Sequence, residues 1–137
     1  MIVIVCVDNN GGMLFNMRRQ SQDRVVRQQI LRHVGKAKLW LNTYSCGQFT
    51  DWQPQQLEID ENFLQHAGVD DYCFVENIDL LPYEQQIKKV ILYKWNRDYP
   101  ADLFFNLPLR KPQWRLLSQH DFAGYSHARI TEEVYGR

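Results

Sequence analysis

Arg18, Arg19, Arg24 and Arg27, interleaved with Gln20, Gln22, Gln28 and Gln29, form the one concentrated basic stretch of the sequence. Four guanidinium groups beside the start of a helix could hold a phosphate, a nucleotide or an RNA backbone, because planar forked donors match anionic oxygens. The competing reading is a solvated helix face. Asp23, Glu76 and Asp79 are the acids whose positions could make them acid, base or magnesium ligands around one pocket, although acids are also common at strand ends and helix caps. His33, His66, His120 and His127 are dispersed and have no metal-ligand spacing, so no metal is expected. Ser126-His127 places a hydroxyl next to an imidazole, but neighbours on a strand point to opposite faces, so it is not expected to act as a dyad. Cys6, Cys46 and Cys73 are odd in number and far apart, which reads as reduced, mostly buried thiols.

Those side chains need a frame. Ile2 to Val7 is a continuous apolar run closed by Asp8-Asn-Asn-Gly-Gly12, the pattern of a central strand buried on both faces. Ser21 can cap a helix with Val25, Val26, Gln29, Ile30 and Val34 on one face and Gly35 as its stop. Lys38 to Leu41 reads as a second strand, with Asn42 to Ser45 as the loop or helix entry after it and Ser45 a cap. Thr50 to Gln56 carries a proline and no periodicity. Asp60 is placed at the start of a short helix over 61–66, Tyr72 to Val75 is a buried strand, and Asp79 to Lys89 has helical spacing leading into the strand Val90 to Tyr93. The segments 103–107, 114–119 and 126–135 read as antiparallel closing strands. The order predicts one α/β domain over residues 1–137: a mainly parallel central sheet with flanking helices and an antiparallel C-terminal strand region.

The chain has 137 residues, with 16 Lys plus Arg against 16 Asp plus Glu, so no global field draws it to nucleic acid or to membranes. Its longest apolar run is far short of the ~20 residues that span a bilayer and has no signal-peptide flanks, which makes a cytoplasmic protein the expectation. Trp40, Trp52, Trp95 and Trp114 are expected in core and rim packing rather than as base-stacking platforms.

A first strand ending Val7-Asp8, then Gly12-Met13, a helix a few residues later, and a closing Trp114-Arg-Leu-Leu-Ser block with Asp121-Phe122 and Ser126-His127 resemble the dihydrofolate reductase family. Asp102, Phe105 and Tyr135 follow the order and spacing of that family's last strands, so the resemblance spans nearly the whole chain. It implies that Gly12-Met13 begins a mobile active-site loop, that Phe15 sits where the family has a tryptophan or similar residue, that Met17 to Gln22 occupies the active-site rim, and that Asp23 is the catalytic carboxylate facing an aminopyrimidine-like edge. The alternative for Asp23 is a first-turn acid favoured by the helix dipole.

Departures from the family decide the functional expectation. The loop after Met13 is short. Where the family carries a glycine pair against the cofactor, this chain has Glu76-Asn77, and the phosphate-binding arginine is replaced by Asn42-Thr43. A carboxylate ~4 Å from a phosphate costs about 4 kcal/mol at an effective dielectric of 20, or ~1000-fold in affinity. Ordinary NADPH binding is therefore not expected, and the cofactor is left open. The sequence points to a nucleotide-like or phosphorylated small molecule, held by Phe15, Arg18, Arg19, Arg24, Ser45, Glu76 and Asn77. The alternatives are an NADPH-dependent reductase with an altered cofactor pose and a non-enzymatic RNA- or protein-binding module using Arg18 to Arg27.

Overall fold

A computed structural model of the chain describes residues 1–49 and 55–137. Most of the aperiodic stretch from Thr50 to Gln56, and Trp52 with it, lies outside the described residues. The centre of the structure is β1 (Ile2–Val7). Ile2 and Ile4 point into one half of the core and Val3, Val5 and Val7 into the other, so every position is apolar because both faces are covered. β1 pairs in parallel with β6 (Tyr72–Phe74) on one side and β7 (Lys89–Lys94) on the other.

Beyond β6 lie β4 (Leu39–Leu41) and β5 (Leu57–Ile59), both parallel. Beyond β7 lie β10 (Ile130–Gly136) and the edge strand β9 (Arg115–Phe122), both antiparallel. The sheet order is β5-β4-β6-β1-β7-β10-β9, a mainly parallel sheet with an antiparallel C-terminal end.

The helix α1 (Arg24–Val34) covers one face through Val26, Ile30 and Val34. Its cap is Asp23 rather than Ser21: the Asp23 carboxylate accepts from the Val25 amide, and Ser21 is left two residues outside the helix. Gly35 ends it, donating its N–H to Leu31 O. α2 (Thr43–Cys46) is capped by Asn42, with Ser45 inside the turn and donating its amide to Asn42 Oδ1.

On the opposite face, α3 (Phe63–His66) starts later than Asp60, because Leu57–Ile59 extends beside β4 before the chain turns. Asp60 accepts instead from the Asn62 amide and from His66. The expected helix over 79–89 is a 3₁₀ turn, Leu81–Gln86. Pro82 suits its first turn, and the chain is already extended at Ile87, leaving no length for an α-helix.

A second, three-stranded sheet stands over the carboxyl end of β1. β2 (Gly12–Phe15) and β3 (Arg18–Arg19) form a hairpin whose turn residues Asn16 and Met17 both have positive φ, 50° and 63°, as the twist of a two-residue hairpin turn requires. β8 (Leu103–Phe104) pairs with β2, so the segment at 103–107 builds this small sheet rather than closing the large one. The segment expected to be a mobile loop is thus pinned on both sides. Gly12 is needed there: a Cβ would lie 2.5 Å from Ala101 Cβ and 2.7 Å from both Asp8 Oδ2 and Gln20 Nε2. Gly12→Ala is expected to lower stability by about 1–3 kcal/mol, the usual range for overpacking, read by urea unfolding.

Candidate functional site

In parallel sheets a crevice forms where loops leaving adjacent strands diverge to opposite faces. That point falls between β1 and β6, since β1 leads to α1 on one face and β6 leads to the 3₁₀ turn on the other. A narrow crevice lies there, lined among others by Cys6, Met13, Arg19, Ser21, Gln48 and Glu76. Its free space is about 10 Å³, room for about one water. A broader depression of about 620 Å³ near Met1, Leu64, Tyr83 and Lys88 sits at the amino ends of the strands, away from the diverging loops.

Arg19 and Glu76 close the crevice. Arg19 Nε and Nη2 donate to the two oxygens of Glu76 at 2.9 and 3.1 Å, and Gln48 Nε2 donates to Glu76 Oε2 at 2.7 Å. The guanidinium lies 4.6 Å from the centre of the Tyr44 ring, and Nη2 also reaches Tyr44 O. Glu76 is therefore not an isolated charge but half of a forked ion pair, and Arg19 is already engaged by it.

The neighbouring polar groups are similarly occupied. Asn77 Oδ1 accepts from Asn42 Nδ2 at 2.9 Å, and the Thr43 amide at the start of α2 donates to Glu61 Oε1 at 2.9 Å. Ser45 is buried, and its hydroxyl has no hydrogen-bond partner among the described residues. Phe15 is 45% exposed at the end of β2 and does not line the crevice, where Met13 stands instead. Arg18 is exposed on the hairpin, Arg24 lies over the Tyr125 ring at 4.9 Å, and Arg27 donates to Gln22. Of the four arginines, Arg19 alone lines the crevice.

Asp23 sits at the other wall and its side chain is wholly buried. Oδ1 accepts from the amides of Val25 and Tyr125, both at 2.9 Å. Oδ2 accepts from the Ser126 amide at 2.9 Å, from the Ser126 hydroxyl at 3.2 Å, and from His127 Nδ1 at 2.8 Å. Burial pushes this carboxyl up, but the amides of Tyr125, Ser126 and Val25 together with His127 outweigh it and hold Asp23 well below the usual carboxylate range. Both oxygens are saturated from within the chain, so no acceptor is left for a ring edge. The tightness extends to Gly124, where a Cβ would fall 2.7 Å from Asp23 Oδ2 and from Ile130 Cδ1.

His127 is the residue that sequence reasoning passed over. Residues 123–129 form a bend before β10 rather than a strand, so Ser126 and His127 are not forced to opposite faces and both turn to Asp23. The His127 ring stacks on Trp95 at 4.6 Å, and its Nε2 lies 2.8 Å from Ser21 Oγ. No spacing in the sequence signals this contact, because 106 residues separate the partners.

Elsewhere, His33 and His120 flank the buried Glu132. Among the described residues, no three His, Cys, Asp or Glu groups converge on a position that a metal could occupy. None of their helices is long and apolar enough to cross a membrane.

Sheet order, helix placement and the switch-point crevice together define a dihydrofolate-reductase-like α/β fold. Among solved structures, the chain is similar to dihydrofolate reductase from Enterococcus faecalis complexed with NADP(H) and RAB-propyl, with a TM-score of 0.68 over 99% of this chain and 95% of that one. The identity is 9%, so the likeness is one of fold. No family model and no curated protein matches the sequence.

Proposed function

We propose that the protein binds a phosphorylated, nucleotide-like small molecule at the crevice between β1 and β6, and that it does so without a nicotinamide dinucleotide. The observation that carries this reading is the forked Arg19–Glu76 pair at the switch point, a guanidinium presented as it would meet a phosphate. A ligand phosphate would meet Nη1, the guanidinium nitrogen that the fork to Glu76 does not use, so that Glu76 stays paired, with the exposed Arg18 adding charge at the rim.

Three features speak against a dinucleotide in this reading. Glu76 and Asn77 stand after β6 where close backbone approach calls for glycine, Asn42 spans to Asn77, and Glu61 takes the first amide of α2.

Thermal-shift measurement with nucleotides, sugar phosphates, pterins and NADPH tests the reading. A ligand present at 100 times its Kd stabilises the native state by about 2.7 kcal/mol. The expected result is a shift of several degrees with a phosphorylated member, lost in Arg19→Gln. Response to none of the phosphorylated compounds overturns it, and a shift with NADPH restores the reductase alternative.

A further inference from the structure

We propose that Ser21, His127 and Asp23 form a nucleophile, base and orienting acid that give the crevice an acyl-transfer activity toward esters with a small, acetyl-sized acyl group. The hydrogen bonds run in the order this chemistry requires. Asp23 Oδ2 accepts from His127 Nδ1 at 2.8 Å, which fixes the proton on Nδ1 and leaves the Nε2 lone pair facing Ser21 Oγ, also at 2.8 Å.

The base is held rigidly. Asp23 cannot rotate, because three backbone amides grip its oxygens, and His127 is fixed between that carboxylate and the Trp95 ring. Ser21 belongs neither to β3 nor to α1. It is partly exposed and is among the residues that line the crevice, whereas His127 behind it is not. A clasp joining α1 to the 124–127 bend needs only the bonds to Asp23; it gives no reason for a hydroxyl on the far nitrogen of the ring.

In the reaction, Ser21 Oγ forms a bond to the ester carbonyl carbon as its proton passes to His127 Nε2. The bond from that carbon to the leaving oxygen then breaks, and the Nε2 proton goes to the departing alkoxide. Water attacks the acyl-Ser21 carbon and gives a proton to Nε2, which returns it to Ser21 Oγ as the carboxylic acid leaves. The sum is ester plus water to acid plus alcohol. The crevice holds about one water as it stands, so an acyl group reaches Ser21 only once the Arg19 and Gln48 side chains swing aside, and a short acyl chain needs the smallest opening.

The proposal uses the same crevice as the binding reading but does not need Arg19 to hold an anion, so either can fail alone. The test uses the full chain and p-nitrophenyl acetate, with peptide mapping of a quenched reaction. The expected result is nitrophenolate release above buffer background and an acetyl group on Ser21, both lost in Ser21→Ala and kept in Ser118→Ala. His127→Gln is expected to slow release on the order of 100-fold or more. Should that variant fail to fold, the Ser21→Ala comparison and the mapped site of acetylation decide. Release no faster than buffer, release unchanged in Ser21→Ala, or acetylation confined to other residues overturns the proposal.

Discussion

Asp23→Ala is expected to cost about 3–5 kcal/mol, since it unpairs several buried donors at about 1–3 kcal/mol each. For a chain of this size that is a fall of roughly 10–20 °C in Tm. The loss is large because one side chain caps α1 and also ties the 124–127 bend to it. Without the carboxylate, the amides of Tyr125 and Ser126 and the Nδ1 proton of His127 face a cavity. Asp23→Asn should not rescue stability, since one carboxamide atom must then turn N–H donors toward N–H donors.

The same residue predicts an acid dependence. Its folded pKa lies below the unfolded value of about 3.9, so its contribution is complete above pH ~4 and is lost as pH falls further, through the folded value. The stability difference between wild type and Asp23→Asn, measured by urea unfolding at stepped pH, should therefore be constant near neutrality and shrink below pH ~4. A difference that stayed constant down to pH 2 would contradict the hydrogen-bond network around Asp23.

The second large effect belongs to Arg19. Arg19→Ala leaves Glu76, which is 8% exposed, with Gln48 as its remaining side-chain donor, and is expected to cost about 3 kcal/mol. Removing both charges should cost much less than the sum of the single changes. Arg19→Met with Glu76→Met is expected to recover most of the stability lost in Arg19→Ala, because a buried ion pair replaced by apolar side chains of similar volume is often neutral. A double-mutant cycle by denaturant unfolding measures this, and additive losses would mean that the two side chains do not interact.

The frame was largely readable from residue order because its central strands are buried on both faces. Ile2–Val7 and Val90–Tyr93 are unbroken apolar runs that fit few other elements. α1 was readable from the spacing of Val26, Ile30 and Val34. The elements that escaped are short or depend on partners. β5 is three residues at a sheet edge, and the hairpin at Gly12–Arg19 is stabilised by β8, some ninety residues later.

The site was legible only as a neighbourhood. Asp23 and Arg19 stood out by type and position, but what each touches comes from far along the chain: residues 125–127 for Asp23 and Glu76 for Arg19. Charge type alone made Glu76 look like a barrier to anions. Its pairing shows a neutralised fork instead. Ser21 and His127 are an unremarkable serine and histidine until β10 and the end of β3 are brought together.

The pinned hairpin has a kinetic consequence. Pairing with β8, together with the bonds from Phe105 N to Gly11 O at 2.8 Å and from Asn16 N to Asp102 Oδ2 at 3.0 Å, removes the microsecond-to-millisecond closing motion that a free active-site loop would supply. Entry to the crevice must then be timed by rotation of the Arg19 and Gln48 side chains, events orders of magnitude faster. Backbone relaxation dispersion should be flat from Gly12 to Arg19, and small molecules should come and go at rates set by side-chain hops.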